Sequence, residues 1–398
     1  MLFVLKNIAF LLLACFSCLS CEQSFVSQPS QDQFLDGTIT GLSSAELSQF
    51  LKGDAAVNEV FTRQTGLGST FVGTSCINCH AGDGKGHPFT SLIRFGQIDE
   101  TGNQFLNQGG PQLQNRALPG FLPEQIPIGA TFSKLMPPAF TGLGFLQYVT
   151  DDTILAMADP NDMNNDGISG TVNWINIPYY AIPHPNAISQ SGKYIGRFGK
   201  KASTFSLFQQ TITAYNQDMG ITSAYNPIDH YTNLEIDPEV STNKINDITF
   251  YLKTLKAPIQ RNQNDAVVLQ GKNLFEQVNC AGCHKSTLTT GFSEIQPLSY
   301  QNFSPYTDLL LHDMGNALDD GYTEGAAKTY EWRTPPLWGI GLSANSQGGN
   351  LFLMHDGRAR TIEEAINFHG GEAVNSKNAF DDLTSQQKIA LLQFIKSL

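Results

Sequence analysis

Two short runs in this 398-residue chain place reactive side chains at a fixed spacing: Cys76-Ile77-Asn78-Cys79-His80 and Cys280-Ala281-Gly282-Cys283-His284. Two thiols a helical turn apart can each join one vinyl group of a single porphyrin, and the adjoining imidazole then lies beneath the ring as an iron ligand. The pattern implies two c-type haems, held covalently by Cys76, Cys79, Cys280 and Cys283, with His80 and His284 as proximal iron ligands. A thioredoxin-like dithiol, or one zinc ion shared by all four thiols, is the rival reading, and the zinc site leaves both following histidines as coincidence. Of the seven cysteines the other three, Cys15, Cys18 and Cys21, fall within the first 21 residues, so none remains for a structural disulfide.

Those first residues run in the order of an export signal: Lys6, an apolar stretch from Ile8 to Leu13, then small residues and cysteines. The stretch is too short to span a membrane as a mature helix. A cysteine at the cleavage point suggests a bacterial lipoprotein. Leu12-Leu13-Ala14-Cys15 has the better local lipobox, but Cys21 precedes polar Glu22-Gln23-Ser24, as a mature terminus should, and is the favoured lipid-bearing residue. Residues 1–21 then form the signal and 22–40 a flexible tether, and the expected location is the periplasmic side of a bacterial membrane, the outer membrane being favoured. A plain cleaved signal is the simpler alternative.

The attachment runs need elements to hold them. Each follows a short amphipathic stretch, Val57 to Phe61 and Gly271 to Val278, and each is followed at a distance by a helical pattern, Thr242 to Leu255 and Thr384 to Leu398, opened by a hydroxyl residue suited to capping. The pattern predicts a mainly α fold of two cytochrome c-like domains, 41–258 and 259–398, the first with a long loop-rich insertion; the polar Ala257 to Asp265 is the linker. Within the insertion, Asp162, Asn164 and Asp166, closed by Gly167, match the start of a calcium loop. Position 12 of that loop is Asn173 instead of an acid, so an EF-hand is not expected; a structural calcium site and an ordinary Asn/Asp/Gly turn both remain open. With 36 acids against 24 bases, the chain is not expected to bind nucleic acid, whose phosphates call for Lys and Arg. The same charge would favour a basic redox partner such as a small cytochrome.

The chain also resembles the di-haem oxidoreductase family, relatives of bacterial di-haem cytochrome c peroxidases. The resemblance runs from about Thr74 to Leu398, in CINCHAGDGKG (Cys76 to Gly86), GLGFL (Gly142 to Leu146), ADPNDMNNDGISG (Ala158 to Gly170), GRFGKKA (Gly196 to Ala202), DMGITS (Asp218 to Ser223), YTDLLLHDMG (Tyr306 to Gly315), EWRTPPLWGIGL (Glu331 to Leu342), HDGRARTIEEAI (His355 to Ile366) and HGGEA (His369 to Ala373). It implies electron passage between two haems, with peroxide as the substrate class at one of them. The alternative is a non-catalytic electron carrier with both irons six-coordinate; a haem-bearing part of a metal-uptake system is a third reading.

In cytochrome c-like domains the second axial ligand comes from the irregular segment ahead of the closing helix. Met219 holds that place in the first unit and His369 in the second, and the resemblance adds to the case for His369. Met136 and His87 are alternatives for the first haem and Met314 for the second. His312 and His355, each beside an Asp (Asp313, Asp356), are read as hydrogen-bonding near a haem edge. Arg333 and Arg358 are the candidate propionate partners, since guanidinium matches carboxylate in a two-bond fork. Trp332 and Trp338 are expected against the second porphyrin, and Trp174 either between the haems or in the core.

Overall fold

The computed structural model describes residues 35–398. The predicted signal, Cys15, Cys18, Cys21 and most of the 22–40 tether lie outside the described residues. Two packed helix pairs frame the molecule: Ser44–Val57 on Thr242–Thr254, and Ala266–Gln277 on Ser385–Ser397. The pairs are built alike. Each meets at a glycine, because a Cβ on Gly53 would collide with the Asp247 carbonyl and Tyr251, and one on Gly271 with the Ala390 carbonyl and Phe394. Beside each glycine an aromatic pair fills the crossing, Phe50 with Tyr251 at 4.8 Å and Phe275 with Phe394 at 5.4 Å between centroids.

The closing helices begin where their caps predict. Ser241 accepts from the Lys244 amide, and Thr384 forms a capping box with Gln387. The helix ahead of the first attachment run differs from expectation. It is Ser44–Val57, set by a Ser43/Glu46 capping box, and it ends where the expected stretch Val57 to Phe61 begins. The segment read as a linker is docked onto the last helix: the Arg261 amide donates to the Ser397 carbonyl at 2.9 Å and Gln260 Nε2 to Ser397 Oγ at 3.1 Å.

The mainly α expectation is corrected. Helix makes up 34% and strand 12%, and the strands form small sheets of two or three. Between the helices, chain rich in Gly, Pro and Asn cannot sustain helical hydrogen bonds, so its amides pair across short ladders. Leu92–Phe95 pairs with Phe132–Leu135, and Trp174–Ile175 pairs with Lys193–Ile195. Leu311–Asp313 pairs with Glu331–Arg333, setting His312 opposite Trp332. Isolated bridges Val149↔Thr290 and Thr171↔Leu311 tie chain after the second attachment run to chain after the first. Among the described residues no helix is long and apolar enough to cross a membrane.

Candidate haem sites

Both attachment runs fold as a single 3-10 turn, Cys76–Asn78 and Cys280–Gly282, in which the His80 and His284 amides each donate to the carbonyl of the first cysteine at 3.0 Å. This wraps two thiols and an imidazole around one turn. All four thiols are free. Burial raises Cys76 to about 12, Cys79 to about 11 and Cys280 to about 12, so these thiols stay protonated, against the depressed pKa a reactive dithiol needs. The two pairs do not converge on a tetrathiolate site either: among the described residues the group close enough to share an ion is Cys283, Asp308 and His312.

The two histidines are prepared alike. His80 Nδ1 donates to the Pro138 carbonyl at 2.8 Å and His284 Nδ1 to the Tyr306 carbonyl at 2.9 Å. A carbonyl can only accept, so the proton sits on Nδ1 and the lone pair on Nε2. Burial lowers both to about 4, keeping them neutral, as a metal ligand must be. His80 also stacks on Phe140 at 3.9 Å. His369 repeats the arrangement: Nδ1 donates to the Ala365 carbonyl at 2.7 Å, burial lowers its pKa, and its charge adds to what lowers His284. His369 thus lies within the electrostatic surroundings of His284.

Met219 is the last residue of helix Leu207–Met219, 3% exposed in the apolar cluster against which Cys76 packs. Its neighbour Asp218 bonds Gln112 and helps raise Cys76 and Cys79. Of the alternatives, Met136 is 2% exposed with Sδ 3.6 Å from Gln347 Nε2, and His87 Nδ1 accepts from the Phe89 amide. Met314 packs beside Leu135, Leu318 and Trp332. A recess of about 390 Å³ adjoins the first run, lined by Cys79, Phe89, Thr90, Asn115 and Arg116 among others.

The two propionate candidates separate. Arg358 is engaged by Asp356 at 2.8 Å and Asp320 at 3.6 Å, with Nη1 on the Ala317 carbonyl. Among the described residues Arg333 has no carboxylate at ion-pair distance; it donates to the Gly199 and Thr334 carbonyls, and its backbone amide donates to Lys200. Lys85 and Lys200, not singled out in the sequence although both stand in stretches that carry the family resemblance, likewise have no ion-pair partner among the described residues. Burial lowers Lys85 to about 8; burial with repulsion from Lys85 and Arg333 lowers Lys200 to about 7, and Arg333 falls to about 10. Lys200 also acts on His80. Three deep cations without ion-pair acids among the described residues, Lys200 acting on the expected ligand His80, suit the carboxylates of a porphyrin.

His312 and His355 bond acids other than their sequence neighbours. His312 lies between Asp308 and Glu372, and His355 donates to Asp320 at 2.8 Å while stacking on Trp332 at 3.8 Å. Lys201 covers the Trp332 ring at 3.7 Å. Trp338 packs near Phe303 in the first apolar cluster, and Trp174 pairs with Ile195 in a small sheet. In the acidic loop the candidates Asp162, Asn164 and Asp166 come together, with Asp162 Oδ1 accepting from the Asp166 and Gly167 amides. Asn173 points elsewhere, to Lys201 and Glu324 carbonyls.

A family model described as "Di-haem oxidoreductase, putative peroxidase" matches residues 128–398, a span that holds the second attachment run and begins after the first. No curated protein matches. A solved structure titled Kuenenia stuttgartiensis hydrazine synthase pressurised with 20 bar xenon is similar at 13% identity, covering 93% of this chain and 100% of that one with a TM-score of 0.36, too slight a likeness to carry an argument.

Proposed function

The chain belongs to the di-haem oxidoreductase family, and from that premise we propose that it is an exported c-type cytochrome oxidoreductase that passes electrons between two covalent haems, with peroxidase-type activity at one. The observation that carries the reading is the twin arrangement of a Cys-x-x-Cys turn followed by a histidine whose Nδ1 is tied to a carbonyl, leaving a neutral Nε2. Bound haem would supply one-electron chemistry and an iron coordination site. Cys76, Cys79, Cys280 and Cys283 would hold it, His80 and His284 would bind iron from one side, and His369 would complete the second haem, making that one the electron relay. The first haem would then be the reactive one, with Met219 no more than a weak ligand and the recess beside its attachment run as the way in for a small polar oxidant such as peroxide. Lys85, Lys200 and Arg333 would neutralise propionates. Cys21 is the proposed lipid anchor, a loop calcium at Asp162, Asn164 and Asp166 a proposed structural ion, and a basic cytochrome the proposed electron donor.

A haem-staining gel and haem quantification test the premise. Two haems per chain are expected, falling to one in Cys76→Ser/Cys79→Ser and separately in Cys280→Ser/Cys283→Ser; no staining overturns the reading. Electron paramagnetic resonance should show one low-spin and one high-spin iron, with a spectral response to peroxide or cyanide after partial reduction. Two low-spin signals without peroxide turnover would instead establish the non-catalytic carrier.

A further inference from the structure

Building on the reading of His284 and His369 as ligands of one haem, we propose that His312, clamped between Asp308 and Glu372, is the positioning residue that sets His369 against the second attachment run. His312 is 3% exposed at the centre of strand Leu311–Asp313. Its Nδ1 lies 2.6 Å from Glu372 Oε2 and its Nε2 2.9 Å from Asp308 Oδ2. Ionised carboxylates only accept, so both ring nitrogens donate and the imidazole is a cation shared by two acids. Nδ1 is also 3.6 Å from Cys283 Sγ, which puts the clamp directly on the attachment run.

Glu372 makes the connection to His369. Its carboxylate accepts from His312, from the Asp313 amide at 3.1 Å and from the Ser169 amide at 3.0 Å, gathering two distant segments on one side chain. Only Gly370 and Gly371 separate it from His369. Gly371 has φ +50°, and a Cβ there would collide with the Asp313 carbonyl; a Cβ on Gly370 would come within 2.9 Å of the Met314 carbonyl. The chain between ligand and clamp thus lies flush on the end of the His312 strand with no side chain of its own to hold it. On one side His369 is fixed by its bond to Ala365, on the other by Glu372.

The grouping of Cys283, Asp308 and His312 could suggest an ion site, but a histidine that donates from both nitrogens has no lone pair to give. The structure therefore assigns the cluster to positioning.

The test uses the holoprotein. Glu372→Gln, nearly isosteric and neutral, should keep two covalent haems per chain yet lose most of the low-spin bis-histidine signal in favour of high-spin iron, and free imidazole should restore it. His312→Gln should do the same. Asp151→Asn, which breaks the buried pair with Arg197, lowers the melting temperature as a purely structural change and should leave the low-spin signal intact. An unchanged low-spin signal in Glu372→Gln, the same loss in Asp151→Asn, or a stoichiometric metal ion released by His312→Gln overturns the proposal while the haem reading stands. A wild-type protein with haem but no bis-histidine signal overturns both.

Discussion

An imidazole ligates iron only when it is neutral and turned correctly; burial keeps His80, His284 and His369 neutral, and one backbone carbonyl each turns the ring. The charges around them are treated unequally. Arg358 is already neutralised by Asp356 and Asp320, whereas Lys200 faces Lys85 and Arg333. Removing a positive charge near iron favours the ferric state, so Lys200→Gln should lower the midpoint potential of the first haem in an optical redox titration, and Arg358→Gln should leave it nearly unchanged. Equal shifts in the two variants would count against the propionate role of Lys200. Attachment cysteines and proximal histidines are legible at this scale because their chemistry is written in adjacent residues. Lys85 and Lys200 are not, since their meaning lies in what fails to surround them in space.

At the scale of elements, the two helix pairs depend on close backbone approach at Gly53 and Gly271. Gly271→Val must push helix Ala266–Gln277 away from Ser385–Ser397, and overpacking of this kind typically costs about 1–3 kcal/mol. Gly53→Val should cost a similar amount. Urea titrations followed by circular dichroism would measure both, and a loss under about 0.5 kcal/mol, the usual range of neutral surface changes, would contradict the packing argument. The closing helices were legible from apolar spacing and a hydroxyl cap. The stretch between Gly96 and Lys200 was not, because its strands are completed by partners with no local signature: Thr171 bonds Leu311, and Asn173 bonds the carbonyl of Glu324. Composition marks this stretch as loops with room for short strands, but not which strands pair, and the mainly α expectation for the whole chain overstates helix.

For the molecule as a whole, ion pairs join the parts. Glu294, after the second attachment run, binds Lys253 at 2.8 Å and Tyr148 at 2.5 Å. Burial pushes its pKa up, but Lys253 and Tyr148 outweigh this and hold it at about 2. A carboxylate held below its unfolded value adds stability above that value, about 4.3, and loses it as pH falls through the folded one. The stability advantage of wild type over Glu294→Gln should be constant above about pH 5 and fade between about pH 4.5 and 2, tracked by thermal melting. Because Glu294 is partly exposed, moderate salt should shrink the advantage; an advantage that grows on acidification would contradict the assignment.

The bridges from Val149 to Thr290 and from Thr171 to Leu311, with Lys201 Nζ donating to the carbonyls of Lys328, Thr329 and Glu331, also bear on the order of biogenesis. On the proposed export route, a chain threaded through a membrane from its N-terminus would present Val149, Thr171 and Lys201 well before their partners emerge. Lys201 would then stay without its three carbonyls until some 130 further residues had crossed, as the separations of 127, 128 and 130 positions require. On that route the first attachment run would meet its haem while these contacts are still unmade, and they would close once the chain beyond the second run had followed.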